Sequence, residues 1–237
     1  MKRLLIGLSV VLNTLFIGGS IALWANLDNF IDSFLQSNRD RLESQFELFT
    51  AQPAQVVFLG DSITQGGRWS ELFPGTGAVN RGIGGDTTQD VLNRLEQIYP
   101  LQPQQLFIMI GINDLNRGFG PEVAIANYTT LFNNIDEKLP QTRVYLQSVL
   151  PVNDTWPNAD NTNVPTLNTV LAKEAQTRGY TFIDLTPAFS ASDGQLRAEL
   201  SNDGIHLLGA GYAVWQEQIQ ALVGTLVEPL LEPLAGP

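Results

Sequence analysis

The sequence predicts an α/β domain built on a parallel sheet with helices on both faces. Three observations predict it. Continuous apolar runs recur along the chain at the spacing of α/β units. Segments of helical periodicity lie between those runs. The tips that follow the runs combine glycines with Asp, Asn, Ser or His. With 237 residues the chain is long enough for one sizeable domain, and it carries no internal repeat.

The N-terminus opens the element order. Lys2 and Arg3 precede an apolar run from Leu4 to Trp24, interrupted only by Ser9, Asn13, Thr14 and Ser20 among clearly polar residues. That length suits a bilayer-spanning helix, and the flanking charges predict an inside N-terminus. A cleaved signal peptide is the alternative, although bulky Leu23 and Trp24 between Ala22 and Ala25 make a poor cleavage site. A core helix of the domain is a third reading. Residues 1–26 are therefore expected to be a signal anchor or signal peptide, a hydrophobic helix that places the rest of the chain outside the membrane. Residues 27–52 follow as an amphipathic helix or stalk, because Leu27, Phe30, Ile31, Phe34, Leu35, Leu42, Phe46 and Phe49 recur at threes and fours.

Residues 53–227 are the expected α/β domain. Its strands are read at Val56–Leu59, Ala78–Val79, Leu106–Gly111, Val144–Leu150 and Tyr180–Leu185. Its helices are read at Asp86–Ile98, with Asp86 and Gln89 as a capping box, then Pro121–Lys138, Pro165–Arg178 closed by Gly179, and Gly209 to about Val227. Residues 228–237 form a Pro-rich loose tail.

Composition excludes several classes. The formal charge of −11 and the lack of a basic cluster beyond Lys2-Arg3 argue against a nucleic-acid partner. Without cysteine there are no disulfides, thiol nucleophiles or thiolate-bound metals. An acidic, cysteine-free, exported domain fits a bacterial periplasm or exterior.

Function is sought at the strand tips, where open parallel sheets place their sites. The first run stops at Gly60-Asp61-Ser62. The sole histidine, His206, stands three residues after Asp203, in a turn broken by Gly204. A carboxylate so placed can accept from the imidazole Nδ1–H and leave Nε2 to take a proton from a hydroxyl. Ser62 offers that hydroxyl, and a serine needs such a base to act as a nucleophile. The competing reading makes Ser62 a helix cap. Oxyanion donors are available from the Ser62 N–H, the Gly85 N–H beside a helix start, and the Asn113 side-chain amide. Tight turns at Gly84-Gly85 and an Asx turn at Asn113 are the plainer alternatives.

Together "GDSIT", "GIGGDTT", "GIND" and "DGIH" resemble the sequence blocks of the SGNH, or GDSL-type, esterase/lipase superfamily. The resemblance spans about residues 54–225. It places the nucleophile at Ser62, the oxyanion groups at Ser62, Gly85 and Asn113, the acid at Asp203 and the base at His206. It implies a three-layer α/β/α sandwich on a five-stranded parallel sheet, flavodoxin-like in form. The stretch "NRGIGGDTTQDVLNRL" is most similar to bacterial lysophospholipase-like esterases and to platelet-activating-factor acetylhydrolase subunits. The α/β-hydrolase elbow is absent, since Thr64 stands where its second glycine belongs.

The resulting expectation is a serine esterase without cofactor or metal, acting on small-molecule, lipid or glycan esters. Short acyl esters or lysophospholipids come first and O-acetylated polysaccharide second. Trp69, Phe73, Leu115, Phe119 and Trp156 are candidate substrate-lining residues, and Pro151–Pro165 a candidate rim or lid. Two rivals remain: a metal-dependent hydrolase using Asp61, Asp86, Asp114, Asp203 and His206, and a non-catalytic binder of acyl chains or glycans. The oligomeric state is left open.

Overall fold

A computed structural model describes residues 2–49, 54–157 and 159–224. The chain divides into two compact units, residues 1–44 and 45–237.

The first unit is helical. α1 runs unbroken over Lys2–Leu48, its last residues entering the second unit. Residues 2–48 of the two N-terminal segments expected from sequence thus lie on one helix. Leu27, Phe30 and Phe34 are exposed on it. Among the described residues no helix is long and apolar enough to cross a membrane, so the expected anchor over residues 1–26 is not supported. Most side chains of Leu4–Trp24, on which that expectation rests, lie outside the described residues.

The second unit holds the sheet. Its strands are β1 (Val56–Gly60), β2 (Ala78–Gly82), β3 (Gln105–Met109), β4 (Arg143–Gln147) and β5 (Thr181–Ile183). They form one five-stranded sheet in the order β2-β1-β3-β4-β5, and every pairing is parallel. This is the flavodoxin-like order, in which the strand sequence reverses beside β1. Both central strands, β1 and β3, are buried along their whole length, which explains their unbroken apolar sequence.

The connecting helices are α2 (Ser62–Gln65), α3 (Trp69–Leu72), α4 (Thr88–Asn93), α5 (Ile112–Asn116), α6 (Pro121–Lys138), α7 (Val164–Arg178), α8 (Thr186–Phe189) and α9 (Gly209–Ile219). α6 begins at Pro121 and ends at Lys138 as the sequence predicts. α7 ends on Gly179 in a left-handed cap at φ 73°. α6 packs between α4 and α7. Elsewhere an aromatic layer covers the sheet: Phe58, Phe107 and Tyr145, in register on β1, β3 and β4, stack in series. Trp69 stacks on Phe58 at 3.9 Å between ring centroids and meets Trp215 of α9 edge-on.

Several boundaries differ from the expectation, among the strands and the helices. The helix read over Asp86–Ile98 is α4 followed by two short 3-10 turns, Leu95–Gln97 and Tyr99–Leu101. Its capping box is formed by Thr87 and Asp90, not by Asp86 and Gln89, because the Asp86 carboxylate is committed to Arg94. α9 stops at Ile219, and the chain turns through Gly224 at φ 76°. The expected tail, 228–237, lies outside the described residues.

Candidate active site

At the end of β1 the chain turns sharply into α2. Gly60 makes this possible: a Cβ there would lie 2.2 Å from the Met109 carbonyl oxygen and 2.3 Å from Thr64 Oγ1. Asp61 caps α2, its Oδ1 accepting the Ile63 N–H at 2.9 Å. The cap role considered for Ser62 thus falls to its neighbour, and Ser62 occupies the first helical position. The Asn80 amide braces the turn from β2, lying 2.9–3.0 Å from the carbonyls of Thr64, Gln65 and Gly67.

The acid–base loop comes from the other end of the chain. With Nδ1 protonated, His206 donates to Asp203 Oδ2 at 2.6 Å, and Nε2 accepts from the Ser62 hydroxyl at 2.9 Å. The other carboxylate oxygen, Oδ1, accepts the N–H groups of His206 at 2.8 Å and Ile205 at 3.1 Å. It also accepts the Ser201 hydroxyl at 3.2 Å. Burial pushes the Asp203 carboxyl up, but the His206 imidazole and these N–H groups outweigh it and hold it at about 2. Gly204, at φ 93°, lets the Pro151–Pro165 loop approach; a Cβ there would lie 2.4 Å from Trp156 N. Trp156 stands edge-on to the His206 ring, 6.0 Å between centroids. Asn158 of this loop lies outside the described residues.

Facing the serine is the turn after β2. A Cβ on Gly84 would lie 3.8 Å from Ser62 Cβ, and the Gly84 N–H donates to Gln65 Oε1 at 2.7 Å. Arg117 Nη2 donates to the Gly85 carbonyl at 2.7 Å. Asn113 uses one amide N–H on the Asp86 carbonyl, at 2.8 Å. Among the described residues neither the Ser62 N–H nor the Gly85 N–H has a protein acceptor. Backbone donors held in this way can serve a developing oxyanion.

The remaining candidates divide. Trp69 and Phe73 are core residues, packed with Phe58 beneath the sheet and 1% and 6% exposed; they do not line the site. The Trp69 indole N–H is spent on the Thr64 carbonyl at 2.9 Å. Leu115 is half-buried in α5 and Phe119 exposed on the loop beyond it. The acids proposed as metal ligands have other partners. Asp86 pairs with Arg94 at 2.7 Å, and Asp114 accepts the N–H and hydroxyl of Thr88 at 2.9 and 2.6 Å. Among the described residues no group of three or more His, Cys, Asp or Glu is placed to hold a metal ion. Burial raises the Asp61 carboxyl to about 7, with Asp86 and Asp114 adding to the rise against the Ile63 N–H.

Residues 58–214 match the model of the GDSL-like Lipase/Acylhydrolase family. The chain belongs to that family. As a GDSL-like acylhydrolase it is a carboxylic ester hydrolase. It is 32% identical over 194 residues to platelet-activating factor acetylhydrolase IB subunit alpha1 of Homo sapiens, covering 76% of this chain and 82% of that one. A solved protein of Streptococcus pneumonia named for platelet activating factor superposes with a TM-score of 0.79 at 24% identity, over 84% of this chain and 99% of the other. An acetyl xylan esterase superposes with a TM-score of 0.62 at 20% identity, over 71% and 99%.

Sequence reasoning on this GDSL-like acylhydrolase missed the groups that brace the site. Asn80, Arg94 and Arg117 reach partners 13 to 34 residues away. No local pattern signals such bonds. Ser201, two residues before Asp203, was the one within reach of a local reading.

Proposed function

We propose that the acylhydrolase cleaves esters through a covalent acyl-enzyme on Ser62. His206 Nε2 takes the hydroxyl proton as Ser62 Oγ attacks the carbonyl carbon. The tetrahedral oxyanion accepts from the N–H groups of Ser62 and Gly85 and from the Asn113 amide. His206 then gives its proton to the departing alcohol oxygen. Water, deprotonated in turn by His206, attacks the acyl carbon; the acyl C–Oγ bond then breaks, His206 returns the proton to Ser62 Oγ, and the acid leaves. Asp203 remains ionised and fixes the Nδ1–H tautomer throughout. The observation that carries this reading is the continuous line from Asp203 Oδ2 through the imidazole to Ser62 Oγ, at 2.6 and 2.9 Å.

The substrate class proposed is short acyl esters, lysophospholipids among them. Its support is the identity to proteins named platelet-activating factor acetylhydrolase. Deacetylation of a polysaccharide is the second reading. It is favoured by Trp156 beside His206, an aromatic face suited to a sugar ring, and by the shared fold of an acetyl xylan esterase. We also infer export of the catalytic unit, from the apolar run that follows Lys2-Arg3; fractionation of the expressing cell tests it.

A fluorophosphonate is expected to label Ser62 and block hydrolysis of p-nitrophenyl acetate. Ser62→Ala is expected to fold and to lose about 10⁵-fold or more in kcat. Normal turnover by that variant would remove the serine from the mechanism.

A further inference from the structure

Arg94 lies beneath the site, almost wholly enclosed: its side chain is 2% exposed and that of its partner Asp86 0%. Nε donates to Asp86 Oδ2 at 2.7 Å. Nη2 donates to the carbonyls of Gly60 at 3.1 Å and Arg81 at 2.9 Å. One planar group therefore joins the end of β1, the end of β2 and the turn that follows β2.

Two of those three anchor points, Gly60 and Asp86, lie close to a proposed oxyanion donor. Gly60 is two residues before Ser62. Asp86 directly follows Gly85, and its carbonyl is the acceptor that orients the Asn113 amide. The Gly60 carbonyl also accepts the Ile83 N–H at 3.1 Å, which ties the same two strand ends together a second time.

Stability alone is a weak explanation for this pair. A buried ion pair recovers its desolvation cost only when the remaining donors and acceptors are satisfied, and apolar replacements of similar volume are often no less stable. Here Arg94 Nη1 is buried without an acceptor among the described residues. What the guanidinium supplies, and an apolar side chain could not, is a rigid fork spanning three backbone segments.

We infer that Arg94, held by Asp86, is a positioning residue that sets the spacing of the Ser62, Gly85 and Asn113 oxyanion donors. The inference rests on the acyl-enzyme reading above and adds to it the group that fixes the donors. Arg94 touches no substrate. It acts through Gly60 and Asp86.

Arg94→Lys keeps a cation but lacks the planar fork. It is expected to fold, to be labelled by a fluorophosphonate more slowly, and to lose about 100-fold in kcat on p-nitrophenyl acetate with KM within about threefold, because the donors act on the transition state. Phenylboronic acid, whose tetrahedral adduct presents an oxygen to the same donors, should bind more weakly by a similar factor. A folded Arg94→Lys protein with kcat within about threefold of the parent overturns the inference, as does lowered kcat with undiminished boronate affinity. If Arg94→Lys does not fold, Asp86→Asn keeps an acceptor for Nε without the charge. It is expected to lose about tenfold in kcat and in boronate affinity together, and unchanged values overturn the inference. The two claims fail separately. Turnover by Ser62→Ala removes the acyl-enzyme reading, whereas a full rate in Arg94→Lys with Ser62 still labelled removes only the role of Arg94.

Discussion

The two halves of the site are held in different ways. The nucleophile half, at the ends of β1 and β2, is braced by bonds between residues far apart in sequence, buried ones from Arg94 and part-buried ones from Asn80 and Gln65. The acid–base half is one short loop whose own residues, Ser201 to His206, supply nearly all of its bonds. There the Asp203 and His206 side chains are 42% and 43% exposed. The difference matches what each half must do in an esterase. Donors to an oxyanion act by being fixed in a dry setting before charge develops. A general base that later activates water must stand where water can reach it.

The contrast can be broken from either side. After the loss of Ser62 itself, the largest effect is expected at the acid–base loop. Asp203→Asn leaves the loop's shape but favours the wrong imidazole tautomer, and kcat should fall about 10⁴-fold. Steady-state kinetics with an unchanged circular dichroism spectrum would check it, and a fall below tenfold would mean the tautomer is fixed elsewhere. On the braced side, Asn113→Ala removes one donor and the bond to the Asp86 carbonyl. We expect a loss of about 10²–10³ in kcat with little change in KM. A change confined to KM would place Asn113 in ground-state binding instead.

A smaller effect, on stability, sharpens the comparison. Asp61 sits in the dry half with its carboxyl raised from 3.8 to about 7. Between those values the folded state holds the proton and the unfolded state does not, so stability falls as pH rises from about 4 to about 7. Asn keeps the cap to the Ile63 N–H without the charge. Asp61→Asn should therefore be more stable than the parent at pH 8 and lose that advantage near pH 4. The amide carries a burial cost of its own, which holds the gain to on the order of 2 kcal/mol. Urea denaturation at the two pH values measures it, and an advantage at pH 4 equal to that at pH 8 would contradict the sign. Asp203 behaves oppositely, since its carboxyl is held at about 2. Its contribution is present above the ordinary value of 3.8 and is lost as pH falls through about 2.

How much of this was legible depended on the range of the interaction. Glycine and a carboxylate around Ser62 marked a strand tip, and Asp203 with His206 three residues on marked a hydrogen-bonded pair; both are local patterns. Trp69 and Phe73 misled because an aromatic after a nucleophile fits a pocket wall and a core layer equally well. Only the stack on Phe58 decides for the core. Asp86 misled in the same way. It precedes a helix as a cap would, yet its carboxylate is drawn to Arg94, and Thr87 caps instead.

The sequence by itself determined the five strands, the parallel sheet and which residues stand at the tips, because apolar runs and helical periodicity are read over neighbouring positions. It also determined the reach of Asp203 to His206, fixed by a turn of four residues. Only the tertiary structure decided that Ser62 meets His206 across 144 positions, that Asp61 rather than Ser62 caps α2, and that Arg94 ties two strand ends together. Those contacts arise from strand order and register, which bring distant backbone to hydrogen-bond distance without any repeat or spacing along the chain to announce it.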